Sequence, residues 1–111
     1  MKRRRGKPTY DLSKAKDLVR LGKASINGRA IAFIRNHVDV RNPGGVVRKV
    51  IESAAEGDFR ESYELDMLPG TWVDVYRVRY DDEDWYLKFF IDGEGDLKLN
   101  VLSANWWGYQ H

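Results

Sequence analysis

The side chains best placed for chemistry in this 111-residue chain crowd into residues 71–88: Arg77 and Arg79, then Tyr86 and Lys88, separated by the acidic run Asp81-Asp82-Glu83-Asp84. Guanidinium groups clamp phosphate, an ammonium group steadies developing negative charge, and a phenol relays a proton once neighbours lower its pKa. There is no cysteine, so thiolate nucleophiles, thiolate metal sites and disulfides are excluded. Two histidines without cysteine argue against zinc, and a turn of consecutive acids without converging partners reads as a solvated hairpin tip rather than a magnesium site. No cofactor is expected.

Positioning these groups requires strands. Residues 72–80 and 84–91 are rich in Val, Tyr, Trp and Phe, and a third run, 96–102, follows Asp92-Gly-Glu-Gly95. The three read as an antiparallel meander. A tight turn at Asp81-Asp82 sets Arg79 opposite Asp84 and Arg77 opposite Tyr86. Pairing across the glycine turn sets Phe89 against Leu99 and Lys88 against Asn100. Side chains alternate faces with a period of two. Trp85, Leu87, Phe89, Ile91, Leu97, Leu99 and Val101 then share one face, under helices, while Arg77, Arg79, Tyr86, Lys88, Lys98 and Asn100 share the other. A face so rich in cations suits a phosphate backbone. It equally suits the solvated side of an antiparallel sheet, with Arg79 occupied by Asp84.

The rest of the chain reads as support. Asp11 suits an N-cap, with Leu12, Ala15, Leu18 and Val19 on one helical stripe and Gly22 as the stop. Ala30, Ile31, Phe33 and Ile34 follow Asn27-Gly28 as a short helix. Residues 38–45 read as a loop, whose Gly44-Gly45 before a helix is a weak phosphate-cradle signal. A third helix covers about residues 46–55, and 59–65 form an irregular strand into the meander. Trp72, Asp74 and Tyr76 read as core and His37 as structural. His111, expected to move freely as the terminal residue, is given no catalytic part. Asn105-Trp-Trp-Gly-Tyr-Gln-His111 reads either as aromatics packed back on the globule, as a stacking platform for unpaired bases, or as a partner contact.

Size and composition fit one folded domain: 42% hydrophobic residues, four Trp and six Tyr. No apolar run approaches the ~20 residues that cross a bilayer, and no apolar segment follows the basic N-terminus as in a signal peptide, so a cytoplasmic location without membrane contact is expected. The net charge of +2 conceals polarity. Residues 1–23 hold nine Lys/Arg against two Asp, a balance of +7, which leaves −5 for the remainder. The irregular basic arm, residues 1–8, points either to an anionic partner or to a solubilising segment.

Trp72-x-Asp74-Val75-Tyr76-Arg77-x-Arg79, followed after six residues by Tyr86-Leu87-Lys88, resembles the MqsR family of toxin–antitoxin toxins, which are mRNA interferases. Leu12-Ser13-x-x-Lys16-x-Leu18-Val19-x-x-Gly22 and Asp58-Phe59-x-x-Ser62 match in the same order, and the likeness spans roughly residues 8–103. The resemblance implies an α+β, RelE-like fold with about three helices on one face of a twisted antiparallel sheet. On that reading residues 1–8 are the arm, 9–104 the toxin domain and 105–111 an aromatic tail. It also implies metal-free cleavage of single-stranded mRNA, and a DNA-binding antitoxin encoded alongside; ribosome contact stays open.

Such a cut activates a ribose 2′-OH, stabilises phosphorane charge and protonates the departing 5′-oxygen. Tyr86 stands where the family has an active-site tyrosine. Arg77 and Arg79 suit phosphate clamping and Lys88 charge stabilisation, with Arg60, Lys98 and Asn100 as further RNA contacts. At three family positions this chain departs: Glu61 and Ser103 replace lysines, and Val73 replaces a glutamine. A toxin ribonuclease is the expected function. The alternatives are a catalytically weak RNA- or ribosome-binding homologue, or a module that engages an antitoxin.

Overall fold

Nine consecutive residues of alternating type, Trp72–Tyr80, form the strand about which the sheet is laid, β4 in the numbering below. In the computed structural model, which describes residues 3–109, β1 is Arg4–Arg5, α1 Leu12–Arg20, β2 Ala24–Ile26, α2 Gly28–His37 and α3 Pro43–Ser53. A 3₁₀ turn at Glu56–Asp58 leads to β3, Phe59–Glu64; β5 is Glu83–Asp92 and β6 Lys98–Trp106. The sheet has the order β1-β3-β4-β5-β6-β2, antiparallel throughout except for the parallel β2–β6 edge. Three helices pack on this sheet, an α+β fold as expected. No helix among the described residues is long and apolar enough to cross a membrane.

The β4–β5 hairpin has the predicted register, with Arg79 opposite Asp84 and Arg77 opposite Tyr86. Its two-residue turn places Asp81 and Asp82 at φ of 53° and 62°. That mirror-image geometry matches strand twist, and Asp tolerates it better than bulkier residues. The β5–β6 register differs from expectation by two residues. Phe89 faces Val101 rather than Leu99, Asn100 faces Phe90 rather than Lys88, and Lys88 faces Ser103. The cause is a longer connection through Gly93 and Gly95, at φ of 109° and 80°. A β-carbon on Gly93 would lie 2.4 Å from the Asp96 carbonyl oxygen, so only glycine fits there. An even shift leaves every residue on its predicted face.

A bulge opposite Lys88–Phe89 then inserts Leu102 as an extra residue in β6. The strand expected to end at residue 102 continues to Trp106. After the bulge, side-chain parity inverts: Ala104 is fully buried in the main core and Trp106 packs edge-on against Phe33 at 5.1 Å. Trp107 goes to the opposite face.

The main core lies between helices and sheet. Leu12, Ala15, Leu18 and Val19 of α1 are all buried, as their spacing predicts. They join Phe33, Ile34, Val50, Ile51, Trp85, Leu87, Phe89 and Val101. Tyr76 stacks on Phe89 at 5.7 Å, and Phe33 meets Trp85 edge-on at 6.2 Å. Helix α3 begins three residues earlier than expected, with Pro43 in its first turn. Asn42 caps it by accepting the Gly45 amide at 3.0 Å, and a β-carbon on Gly45 would collide with that Asn42 side chain. The Gly45 amide, part of the weak phosphate-cradle signal in the sequence, is therefore taken by the helix's own cap.

Two further differences concern edges. The basic arm is not wholly irregular: among its described residues, Arg4 and Arg5 pair with Tyr63 and Ser62 of β3. Ala24–Ile26, unforeseen as a strand, closes the other edge against β6. His111 and the extremes of arm and tail lie outside the described residues.

Candidate active site on the helix-free sheet face

Strand registers bring the predicted groups together in two adjacent rows. One row crosses β3, β4, β5 and β6 as Glu61, Val75, Lys88 and Ser103; the next holds Arg77, Tyr86 and Asn105. The face is not simply polar. Tyr63, Val73 and Val75 form a second, smaller apolar cluster, flanked by Leu65, Tyr86, Phe90, Leu102 and Trp107. This floor fixes the phenol of Tyr86 while leaving it half-buried.

Lys88 donates from Nζ to Tyr63 Oη at 3.0 Å, and Tyr63 hydrogen-bonds Tyr86, which links the three residues. Burial pushes the Tyr86 phenol above its usual range; Lys88 pulls the other way, while Tyr63 and Glu61 add to the rise. The sequence predicted a phenol made more acidic by its cations. Desolvation on the apolar floor outweighs them, so Tyr86 carries its proton at neutral pH and is suited to giving one up.

Arg77 reaches Asp84 through Nε and Nη2 at 3.0 and 2.8 Å, and Arg79 reaches the other carboxylate oxygen at 3.1 Å. Those bonds, Arg77's foremost, hold the Asp84 carboxyl below its usual range. Both guanidiniums stay accessible: the side chains are 40% exposed for Arg77 and 65% for Arg79. One carboxylate thus spreads over two cations and orients them. The Arg79–Asp84 pair anticipated from sequence is present, with Arg77 included as well.

Three predicted RNA contacts are not gathered here. Arg60 falls at the β3 irregularity between Phe59 and Glu61, and its guanidinium turns back to the carbonyls of Phe59 and Gly57 at 3.1 and 3.5 Å. Lys98 faces Asp92, and Asn100 donates to Asp92 at 2.8 Å. Asn100 lies five residues along β6 from Asn105. Because Leu102 is an extra residue, this corresponds to four positions on β5, from Phe90 to Tyr86, and at ~3.3 Å per residue to about 13 Å from the Tyr86 row. The two-residue register shift carries both toward the glycine loop.

The Asp-Val-Tyr-Arg motif divides its labour by parity. Asp74 is fully buried and accepts the amides of Thr9 and Tyr10 at 3.0 and 2.9 Å, pinning the chain just before α1. Val75 floors the site, Tyr76 fills the main core, and Arg77 emerges beside Tyr86. Asp74 and Tyr76 are structural, as predicted. His37 likewise packs against Phe33 at 4.8 Å and meets Tyr109 Oη at 3.3 Å.

Sequence reasoning missed Tyr63 and the neighbourhood of Glu61; it offered the tail that holds Trp107 as a stacking platform, without its place beside Tyr86. Glu61 pairs with Arg4 of the arm. Trp107 lies 5.4 Å from the Tyr86 ring, with the Arg77 guanidinium 4.9 Å from its centroid. The shared parity of Glu61 and Tyr63 was available as a signal; the bulge that turns Trp107 outward was not.

This arrangement can grip a phosphodiester between cations beside a proton-bearing phenol and a carboxylate. A search among curated proteins finds no match. A family model described as "Motility quorum-sensing regulator, toxin of MqsA" matches residues 7–103. Membership of that family carries with it a toxin role in a toxin–antitoxin system and an antitoxin partner. On a match covering most of its length, the chain belongs to the MqsR toxin family.

Proposed function

We propose that this toxin is a metal-independent endoribonuclease that cuts single-stranded mRNA and so inhibits translation. The observation that carries the reading is the convergence of Tyr86, Lys88, Arg77 and Glu61 on one helix-free face. In the reaction the ribose 2′-oxygen attacks phosphorus and its proton passes to the Glu61 carboxylate. The P–O5′ bond breaks, and Tyr86 gives its proton to the departing 5′-oxygen. The products are a 2′,3′-cyclic phosphate and a 5′-hydroxyl. Arg77 and Lys88 stabilise the charge that builds on the phosphorane, where preorganised cations act most strongly, and Arg79 holds the neighbouring backbone. Arg4 keeps the Glu61 carboxylate in place. The antitoxin is a DNA-binding protein encoded alongside.

A second reading, an RNA-binding homologue with little cleavage, draws support from Asp84, which draws on both arginines. End-labelled RNA incubated with wild-type and Tyr86→Phe protein in EDTA separates the two. The nuclease reading expects cyclic-phosphate ends and a loss of about 10²–10⁴-fold on removing the phenol's proton. Because burial raises the Tyr86 pKa, the alkaline limb of kcat/KM falls above pH 10, where the acid is lost as pH rises. Binding without any cut would favour the second reading.

A further inference from the structure

The structure assigns Trp107 a role of its own: we propose that it is a stacking platform for an unpaired RNA base next to the phosphate held by Arg77 and Lys88. The inference rests on the RNA-directed reading above and adds to it a subsite beyond residue 103, where the family match ends. Two neighbouring tryptophans receive opposite environments. Trp106 is edge-on to Phe33 and 5.7 Å from His37, inside the helix-side packing. Trp107 reaches the other face through the inverted parity after Leu102, and its amide is fixed to the Asp84 carbonyl at 2.8 Å.

The surroundings of Trp107 suit a nucleobase rather than an apolar side chain. Its indole is part-exposed, bordered by the Tyr86 ring and by the Arg77 guanidinium. A base laid there meets aromatic and guanidinium planes together, the pairing that favours unstacked RNA bases. Its attached phosphate falls toward Arg77, Arg79 and Lys88, so charge complementarity selects a polyanion over a greasy peptide. Because stacking tolerates any base, Trp107 provides affinity and registration of the strand more than sequence choice.

The test uses a short single-stranded RNA with one abasic nucleotide walked along the cleavage region, with 2′-O-methyl versions to measure binding without turnover. One abasic position is expected to weaken binding to the wild type about 5–150-fold, the range that follows from ~1–3 kcal/mol per stacked base. The same lesion is expected to cost nothing further in Trp107→Leu, while Trp107→Phe keeps most of the affinity. Indole fluorescence lost on adding RNA to the wild type is expected to be absent in Trp107→Phe. The defect of Trp107→Leu is expected in KM, with kcat near normal and an unchanged melting temperature.

Equal abasic costs in wild type and Trp107→Leu would overturn the platform, even where Tyr86→Phe still abolishes cutting. Wild-type protein that neither binds nor cuts RNA overturns both proposals. Where Trp107→Leu does not fold, the fluorescence comparison with Trp107→Phe decides, and equal quenching in both proteins would overturn the platform.

Discussion

The basic arm and the helix-free sheet face are the two cationic regions of this toxin, and they spend their charge differently. In the arm, Arg3 makes a two-bond pair with Glu64 at 2.9 and 2.7 Å, Arg4 pairs with Glu61, and Arg5 lies 3.6 Å from the centre of the Trp72 ring. Tyr10 Oη and Thr9 Oγ1 tie the next residues to Trp72 and Ser62 at 2.7 Å. These cations lace a two-residue strand onto the sheet edge. On the open face, Arg77 and Arg79 share the one carboxylate of Asp84, and Lys88 donates to the Tyr63 hydroxyl. The density of positive charge along the sequence is highest in the arm, yet the charge left for a phosphate is on the sheet.

The contrast breaks most severely at Asp74. Asp74→Asn presents an amide group to the Thr9 and Tyr10 amides in a buried site, and a loss of about 2–3 kcal/mol is expected for the charged hydrogen bonds removed. Denaturant unfolding measures it, and faster proteolysis near Lys7 reports the freed arm. Unchanged stability would mean that the arm needs no such anchor.

A smaller and sharper comparison sets Arg77→Ala against Arg3→Ala in RNA binding over a salt series. Loss of one phosphate contact is expected to reduce the slope of log affinity against log salt by about 0.7 for Arg77. Arg3→Ala is expected to leave that slope unaltered while lowering the melting temperature slightly. Equal slopes for both variants would erase the distinction between the regions.

Smallest is the acid response of the arm. The hydrogen bonds from Arg3, then that from the Gly70 amide, lower the Glu64 carboxyl from 4.5 to about 2. A carboxyl lowered in the folded state stabilises above its unfolded value, and that contribution fades as pH falls through the folded one. The stability difference between wild type and Glu64→Gln is therefore expected to be full above pH 4.5 and gone near pH 2. A difference independent of pH across that window would show that Glu64 acts without its charge.

Periodicity made the helices and the central hairpin legible, because the stripe of Leu12, Ala15, Leu18 and Val19 and the alternation through Trp72–Tyr80 are local signals. Tyr86, Arg77 and Lys88 followed from the hairpin register alone. What escaped depends on contacts far apart in the chain or on unmarked irregularities. Arg4 and Glu61 lie 57 positions apart, so the arm's fate could not be read from its composition. The acidity of Tyr86 was misjudged because its apolar floor comes from β3 and β6 as well as from its own hairpin. The lengthened glycine loop moved Lys98 and Asn100 away, and nothing near Leu102 announces an extra residue there.

That single supernumerary residue acts as a phase shifter. Pressed into regular pairing without the bulge, a strand of the same length would set Leu102 opposite Lys88, exchange the two indoles and send the inward one into solvent while forcing its neighbour against α2. Length at this point is consequently worth more than identity: deleting residue 102 only removes the bulge and keeps Ser103 opposite Lys88, whereas one residue added after it turns over both sides of the terminal strand at once.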